Sequence, residues 1–509
     1  MVGWIAQSAF CPVAKADSTS RPNIIVILAD DLGYGDVGCY GATRVQTPHI
    51  DALADGGLRF TQGYCSASTC TPTRYSLLTG TYAFRGKRTG VAPPNAPAII
   101  QPGTPTLPSV LRQAGYRTAV IGKWHLGLGG PEGPDWNGSL NPGPLEIGFD
   151  TCFLLPTTND RVPQVYVRDH HVANLDPADP LWVGDKKPDP NHPTGKSHRD
   201  TLKMNWSHGH NATIHNGISR IGFYTGGQAA RFRDEDLADA WVRESKAFIQ
   251  AESSQPFFLY FASHDLHVPR IPHERFQGKS ELGFRGDAIV QLDWCVGELV
   301  KTLREQNIAD ETLIIFCSDN GPVLDDGYQD QALPKNGDHQ PAGPFSGGKY
   351  SVYEGGTRTP FITYQPGTIK PGVSDAMVCT IDLPTSLASL VGANIPADGF
   401  LDSQNVLPAL LTGDAEQGRD ELVQQDNGRR GVFAIRDSRW KLHRHDSGKS
   451  FNKVPTETLT HTRVPKLQLF DLDSDPAETK NVIAEHPDVA TRLRQRLEDI
   501  IAAGRTRQP

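Results

Sequence analysis

Four apolar runs constrain this chain most, because each stops abruptly at groups that carry chemistry. Asn23-Ile24-Ile25-Val26-Ile27-Leu28-Ala29 ends in Asp30-Asp31. Arg117-Thr118-Ala119-Val120-Ile121 ends in Gly122-Lys123-Trp124-His125-Leu126-Gly127. Phe257-Phe258-Leu259-Tyr260-Phe261-Ala262 leads into Ser263-His264-Asp265-Leu266-His267-Val268-Pro269, and Leu313-Ile314-Ile315-Phe316-Cys317 into Ser318-Asp319-Asn320-Gly321-Pro322. Continuous runs rich in β-branched and aromatic residues read as strands buried on both faces, as in parallel sheets. Residues 359–364 read as a fifth strand. Helical stretches fall around residues 48–57, 107–115, 234–251, 286–305 and 383–390, so the chain is predicted to form an open α/β sheet flanked by helices. Ligands of such sheets bind beyond the carboxyl ends of the strands. Acids, lysines and histidines are therefore expected to meet at one edge.

A second stretch, residues 62–82, is centred on Cys70-Thr71-Pro72-Thr73-Arg74. Pro72 suits the first turn of a helix, Tyr75-Ser76-Leu77-Leu78 continue it, and Gly80 ends it. Cys70 then lies at a helix N-terminus, where unpaired N–H groups favour negative charge, with Arg74 one turn on. The motif alone admits two readings: a thiol set up for chemistry, or a buried cysteine beside a solvated arginine. Asp30-Asp31 is equally open: two solvated loop aspartates, or ligands of a hard divalent cation that relieves their repulsion.

Between residues 128 and 226 the chain is rich in Gly, Pro, Asn and His, and reads as excursions over the rim of a site. Thr157-Thr158-Asn159-Asp160-Arg161 is its densest piece chemically; His208-Gly209-His210 alone among its histidines has ligand-like spacing. Residues 325–345 read as a further polar loop, leading into the Gly-rich segment 347–360 around Lys349. From about residue 419 the pattern changes: residues 431–436, 439–443 and 466–470 alternate like antiparallel strands, and the stretch after Pro487 puts Val489, Leu493, Leu497 and Ile500 on one helical face. The predicted organisation is an N-terminal arm or signal remnant (residues 1–21), a large unit (22–418) and a smaller C-terminal α+β unit (419–509).

The charge balance, 50 Lys+Arg against 58 Asp+Glu, gives −8, which argues against a nucleic-acid partner. No apolar run reaches membrane-spanning length. Eight scattered cysteines form neither a disulfide framework nor zinc knuckles. Ala14-Lys15-Ala16 closes a moderately apolar start that lacks a positive n-region. It reads as the tail of an incomplete export signal, giving a periplasmic or extracellular protein; the other reading is a disordered arm on a cytoplasmic one.

Taken together, residues 23–35, the Cys70 motif with Leu78-Thr79-Gly80, Gly122 to Gly127, His264 to Pro269, Asp319-Asn320-Gly321 and Gly348-Lys349 to Pro360 resemble the formylglycine-dependent, Cys-type sulfatases of the alkaline phosphatase superfamily. The likeness runs from Pro22 to the C-terminus; Thr73 departs from it, standing where many members carry serine or alanine. It implies an alkaline-phosphatase-like, mostly parallel mixed sheet with a smaller C-terminal subdomain of antiparallel sheet plus helix. It implies that a maturation enzyme oxidises Cys70 to 3-oxoalanine, whose hydrate attacks sulfur. Asp30, Asp31, Asp319 and Asn320, with modified Cys70, match the ligands of one Ca2+, with Mg2+ as the alternative ion. Arg74, Lys123 and Lys349 match the cationic shell, His267 the acid that protonates the leaving alcohol, and His125 the base for sulfate release. Thr158, Asn159, Asp160 and Arg161 are the candidate substrate contacts.

The expected activity is hydrolysis of a sulfate monoester, of a sulfated sugar or else of a small aryl sulfate. A phosphonate or phosphate ester hydrolase on the same site is the alternative. A cysteine phosphatase needs Cys-x5-Arg and finds Thr71 at that distance from Cys65. A binding protein with a dead site is the remaining reading, and no catalytic position is missing.

Overall fold

The computed structural model describes residues 21–426, 432–445 and 465–507. The arm read as a signal remnant, apart from Arg21, lies outside them, as does Gly431 of the first C-terminal strand. A ten-stranded sheet forms the centre. Its middle is parallel: Asn23–Ala29 lies between Phe257–Ala262 and Thr312–Ser318, and Arg117–Lys123 and Thr151–Leu155 extend it on the first side. On the other side Phe361–Tyr364 runs antiparallel, followed by Leu58–Tyr64 and Gly372–Cys379. A short hairpin, Val167–Arg168 with His171–Val172, closes the far edge.

The Asn23 strand shows why a continuous apolar run is required. Ile24, Val26 and Leu28 enter a core with Leu77, Leu107, Leu111, Leu383 and Leu387, from three helices on one face. Ile25, Ile27 and Ala29 enter the opposite core with Ile50, Leu53, Trp241, Leu292 and Val296, again from helices. Fully burying one such aliphatic side chain contributes roughly 1.5–3 kcal/mol, so a polar residue in this strand would be costly on either face.

The helix predicted around Cys70 spans Cys70–Thr79 and ends at Gly80 in the left-handed region (φ 59°). The 128–226 stretch departs from its reading as rim alone. It supplies the core strand Thr151–Leu155 as well as three small antiparallel ribbons. Leu58–Tyr64 and Gly372–Cys379 are likewise strands that the sequence pattern does not announce.

At the C-terminal end, Leu422–Gln425, Phe433–Arg436, Trp440–Arg444 and Leu467–Asp471 form a four-stranded antiparallel sheet in chain order. Helix Pro487–Ala502 packs Leu493, Leu497 and Ile500 against Ile435, Leu442 and Leu469. Tyr64, Tyr82 and Met377 of the larger unit join the same core. Lys441 Nζ, 2.8 Å from Glu354 Oε1, adds a buried ionic tie. No helix among the described residues is long and apolar enough to cross a membrane.

Candidate active site

The parallel strands deliver their polar ends to one place. Asp30 N–H donates to Asp265 O (2.9 Å) and Leu266 N–H returns to Asp30 O (2.5 Å), so the ends of two neighbouring strands are laced together. Asp31 N–H donates to Asp319 Oδ1 (3.3 Å), and Asn320 Nδ2 donates to Asp31 Oδ1 (2.7 Å). All four side chains are buried. Three carboxylates in a low-dielectric interior repel one another unless cations enter.

Three cations do. Arg74 reaches Asp319 Oδ2 through Nε (2.9 Å) and Nη2 (2.8 Å), and Nη2 lies 3.7 Å from Asp30 Oδ2. Lys123 Nζ contacts Asp30 Oδ2 directly. Lys349 Nζ is 2.9 Å from Asp31 Oδ2. Burial, then the Asp319 charge, push the Asp30 carboxyl up to about 8 despite Lys123 and Arg74.

Two buried oxygens here, Asp30 Oδ1 and Asn320 Oδ1, have no hydrogen-bond partner among the described residues. Asp30, Asp31 and His267 each place one ligand atom within 4.8 Å of the others. Orphaned oxygens and a donor set dominated by oxygen fit a hard divalent cation.

Cys70 faces this floor from the first turn of its helix. Its Sγ is 3.1 Å from His125 Nδ1, and His125 Nε2 is 3.0 Å from Ala92 O. A carbonyl can only accept, so Nε2 carries the proton and Nδ1 presents its lone pair to position 70. His125 holds this pose from a left-handed backbone (φ 54°), pinned by Thr71 Oγ1 donating to His125 O (3.2 Å). The helix N-terminus does not yield an activated thiol. Burial pushes the Cys70 thiol up from its ordinary value, and Lys123 and Lys349 only partly offset it. Arg74 turns to Asp319 and to Lys123 O (2.9 Å). A buried, neutral thiol is a poor nucleophile, which suits a precursor better than a working group.

His267 donates from Nδ1 to Val268 O (2.7 Å), leaving Nε2 as its acceptor face. Burial, then Lys349 and Lys123, hold this imidazole well below its ordinary value.

The structure divides the four candidate substrate residues. Thr158 donates to Asp160 Oδ1. Asn159 Nδ2 donates to His267 O (3.3 Å) and Pro269 O (3.0 Å), so it braces the His267 turn from below. Arg161 keeps 17% of its side chain exposed and donates through Nη1 to Thr158 Oγ1 (2.9 Å) and both Asp160 oxygens (3.0 and 3.1 Å). His210 Nε2 is 2.9 Å from Asp160 Oδ2, so the residue with ligand-like spacing serves this network. Burial opposes ionisation of Asp160, but Arg161, His267 and His210 hold its carboxyl well below the usual range.

Two residues outside the predicted set complete the wall. Asp326 Oδ2 is 2.8 Å from Lys349 Nζ, and Tyr350 OH is 3.1 Å from both Asp326 oxygens. Asp326 falls in a stretch that reads only as a polar loop and Tyr350 in the Gly-rich segment after it, so only the fold could place them here.

A family model described as Sulfatase matches residues 22–393, and one described as N-sulphoglucosamine sulphohydrolase, C-terminal, matches residues 347–503. A protein of Bacteroides thetaiotaomicron named N-acetylgalactosamine-6-O-sulfatase is 47% identical, over 96% of this chain and 94% of its own length. Human arylsulfatase A is 33% identical, over 96% of this chain and 90% of its own. A solved structure described under the metabolism of multiple glycosaminoglycans by Bacteroides thetaiotaomicron aligns with TM-score 0.91 and 46% identity, covering 95% of this chain and 99% of that one. A phosphonate monoester hydrolase of Agrobacterium radiobacter shares the fold, with TM-score 0.58 at 18% identity over 95% of this chain and 96% of that one.

Proposed function

The chain belongs to the sulfatase family and is a sulfuric ester hydrolase; from that premise we propose that its substrate is a 6-O-sulfated N-acetylhexosamine, galacto-configured, carried on a glycan. The observation that carries this reading is 47% identity sustained over 96% of the chain to a protein named for that substrate. Supporting it is the polar network of Arg161, Asp160 and His210, whose partly exposed Arg161 tip is a donor for a sugar hydroxyl.

Asp30, Asp31, Asp319 and Asn320 would hold a hard divalent cation, calcium in our reading, which would add charge stabilisation to the cationic shell. 3-Oxoalanine at position 70, made by a maturation enzyme, would supply a hydrated aldehyde whose hydroxyl oxygen serves as nucleophile and whose carbonyl re-forms as sulfate leaves.

The chain's own residues then divide the work. Lys123 and Lys349 are fixed before substrate arrives, so they meet the sulfate group, Lys349 on the side of its ester oxygen, without reorganisation, while Arg74 holds Asp319 in place; one such contact is worth roughly 10²–10³ in rate. His267 faces the leaving oxygen with Nε2, because Nδ1 is committed to Val268 O; it acts as the acid in its imidazolium form, the Nε2 proton passing to the departing alcohol and the neutral ring remaining on Val268 O. His125 Nδ1, aimed at position 70, takes the proton whose removal lets sulfate depart. The burial of the side chains around position 70 keeps bulk water off sulfur. The same reading includes export to the periplasm or beyond.

The test is a comparison of kcat/KM on one preparation for N-acetylgalactosamine 6-sulfate, its 4-sulfate, N-acetylglucosamine 6-sulfate, 4-nitrophenyl sulfate and phenyl phosphonate. The galacto 6-sulfate is expected to lead; a faster 4-sulfate overturns the substrate, and a faster phosphonate overturns the substrate class. The peptide carrying position 70 is expected to be about 18 Da lighter than its cysteine form, whereas ordinary cysteine oxidation makes it heavier.

A further inference from the structure

We infer that Asp326, with Tyr350, is a positioning pair that aims the Lys349 ammonium at the leaving-group oxygen. This rests on the sulfatase reading above and adds a residue pair to it.

The argument begins with Lys349. A lysine ends in a flexible four-carbon stem, and freezing it costs side-chain entropy. Here the ammonium is buried and lies between two carboxylates, Asp31 Oδ2 at 2.9 Å and Asp326 Oδ2 at 2.8 Å. Asp31 belongs to the floor that fits a cation, and its oxygens serve there. Asp326 is not in that set, so it is the anchor that draws Nζ away from the floor. Two anchors in different directions fix the head; with one, Nζ follows Asp31.

Asp326 is itself held. Tyr350 OH bridges both its oxygens at 3.1 Å. Tyr350 sits in the left-handed region (φ 73°), unusual for a residue with a ring. It is kept there as its N–H donates to Ser68 O (2.9 Å), two residues before Cys70. The neighbouring loop is pinned by Ser207 Oγ donating to Asp325 Oδ1 (2.8 Å) and Ser207 N–H donating to Gly327 O (2.9 Å). The device therefore links three segments: the Cys70 stretch, the lysine loop and the aspartate loop.

A cation aimed at the leaving oxygen matters in proportion to the charge that oxygen must carry. A sugar alkoxide is a poor leaving group and needs it; 4-nitrophenolate departs without help. A loosened structure would slow both substrates alike, so the ratio between them separates positioning from folding.

The experiment measures kcat and KM of wild type, Asp326→Asn, Asp326→Glu and Tyr350→Phe on N-acetylgalactosamine 6-sulfate and 4-nitrophenyl sulfate. Asp326→Asn is expected to lose about 10²-fold in kcat on the sugar sulfate and under tenfold on the aryl sulfate, with KM nearly unchanged. Asp326→Glu is expected to recover part of the sugar activity, and Tyr350→Phe to show the same bias at smaller size. Equal losses on both substrates, or a change confined to KM, would overturn the inference while wild-type activity leaves the sulfatase reading intact. A wild type that cleaves no sulfate ester would overturn both. Should Asp326→Asn fail to fold, an unbiased loss in Tyr350→Phe overturns the inference by itself.

Discussion

His125 Nδ1 stands 3.1 Å from Cys70 Sγ while the opposite ring nitrogen is 3.0 Å from Ala92 O. One contact fixes the tautomer and the other uses it, so the lone pair facing position 70 is a consequence of a backbone carbonyl 33 residues earlier in the chain. Replacing His125 with Asn keeps a residue that tolerates φ 54° and removes the base. His125→Asn is expected to fold with an unchanged melting temperature and to lose roughly 10²–10³ in kcat on any sulfate ester. Steady-state kinetics with a parallel thermal melt checks it; a loss under tenfold would show that proton removal at position 70 is not His125's task.

The orphaned oxygens at the floor make a statement about stability. Asp30 Oδ1 and Asn320 Oδ1, buried and without a hydrogen-bond partner among the described residues, are brought together only in the folded chain, so a cation held there would stabilise it. An ion that binds the native state alone adds about 2.7 kcal/mol at a hundred times its dissociation constant. The melting temperature is therefore expected to fall on chelation, to return with calcium, and to rise with the logarithm of calcium concentration. Asp30→Asn should abolish that increment. Insensitivity of the wild-type melt to chelator and calcium alike would remove the cation from the floor.

Much of this was legible before any coordinates. Asn23–Ala29 is apolar throughout because both faces meet cores, and that is why it announces itself. Topology alone places the acids, lysine and histidines after the four runs at one edge; Asp30, Asp31, Lys123, His125, His267, Asp319 and Asn320 line the site, whereas His264 turns to Trp241 and Asp265 to Gln291. Leu58–Tyr64 stayed hidden because Arg59, Thr61 and Gln62 are only half-buried and break the run. The reach of a side chain was harder still. Arg74 is one turn from Cys70, yet spends its guanidinium on Asp319, 245 residues away. Asn159 sits in the densest polar stretch but braces His267 from beneath. Asp326 is a loop acid whose role exists only once Lys349 arrives from another segment. Periodicity carries burial; it carries no information about which distant partner a polar atom finds.

Arg161 gives a prediction on specificity. Its partly exposed tip leans on Asp160 and Thr158, and Asp160 is held in turn by His210. A hydrogen bond from a charged group contributes about 1.5–3 kcal/mol. Arg161→Met is thus expected to lower kcat/KM on the sugar sulfate by about 10–10²-fold. Activity on 4-nitrophenyl sulfate, which has no sugar hydroxyl to read, should change less than threefold by the same argument. His210→Ala should repeat the pattern more weakly. Parallel losses on both substrates would move Arg161 from the sugar to the sulfate.

The rim carries a pH dependence of its own. His215 is buried between two neutral partners, with Nε2 2.8 Å from Phe232 O and Nδ1 2.7 Å from Tyr224 OH. The carbonyl takes the Nε2 proton and the phenol donates to Nδ1, so the folded site wants the neutral ring. Burial, reinforced by Arg220 against Asp234, pushes the imidazole down to about 4 from 6.5. Between those values the unfolded chain binds more protons than the folded one, so the contribution of His215 is present above about pH 6.5 and is lost as the pH falls toward 4. At about 1.4 kcal/mol per unit, His215 should cost the fold about 2 kcal/mol by pH 5 relative to pH 7. His215→Gln keeps a donor for Phe232 and an acceptor for Tyr224 but does not titrate. Urea unfolding at pH 7 and pH 5 should therefore show the wild type losing about 2 kcal/mol more than His215→Gln across that interval. Equal losses in the two proteins would mean that the ring is already protonated, or already exposed, at neutral pH.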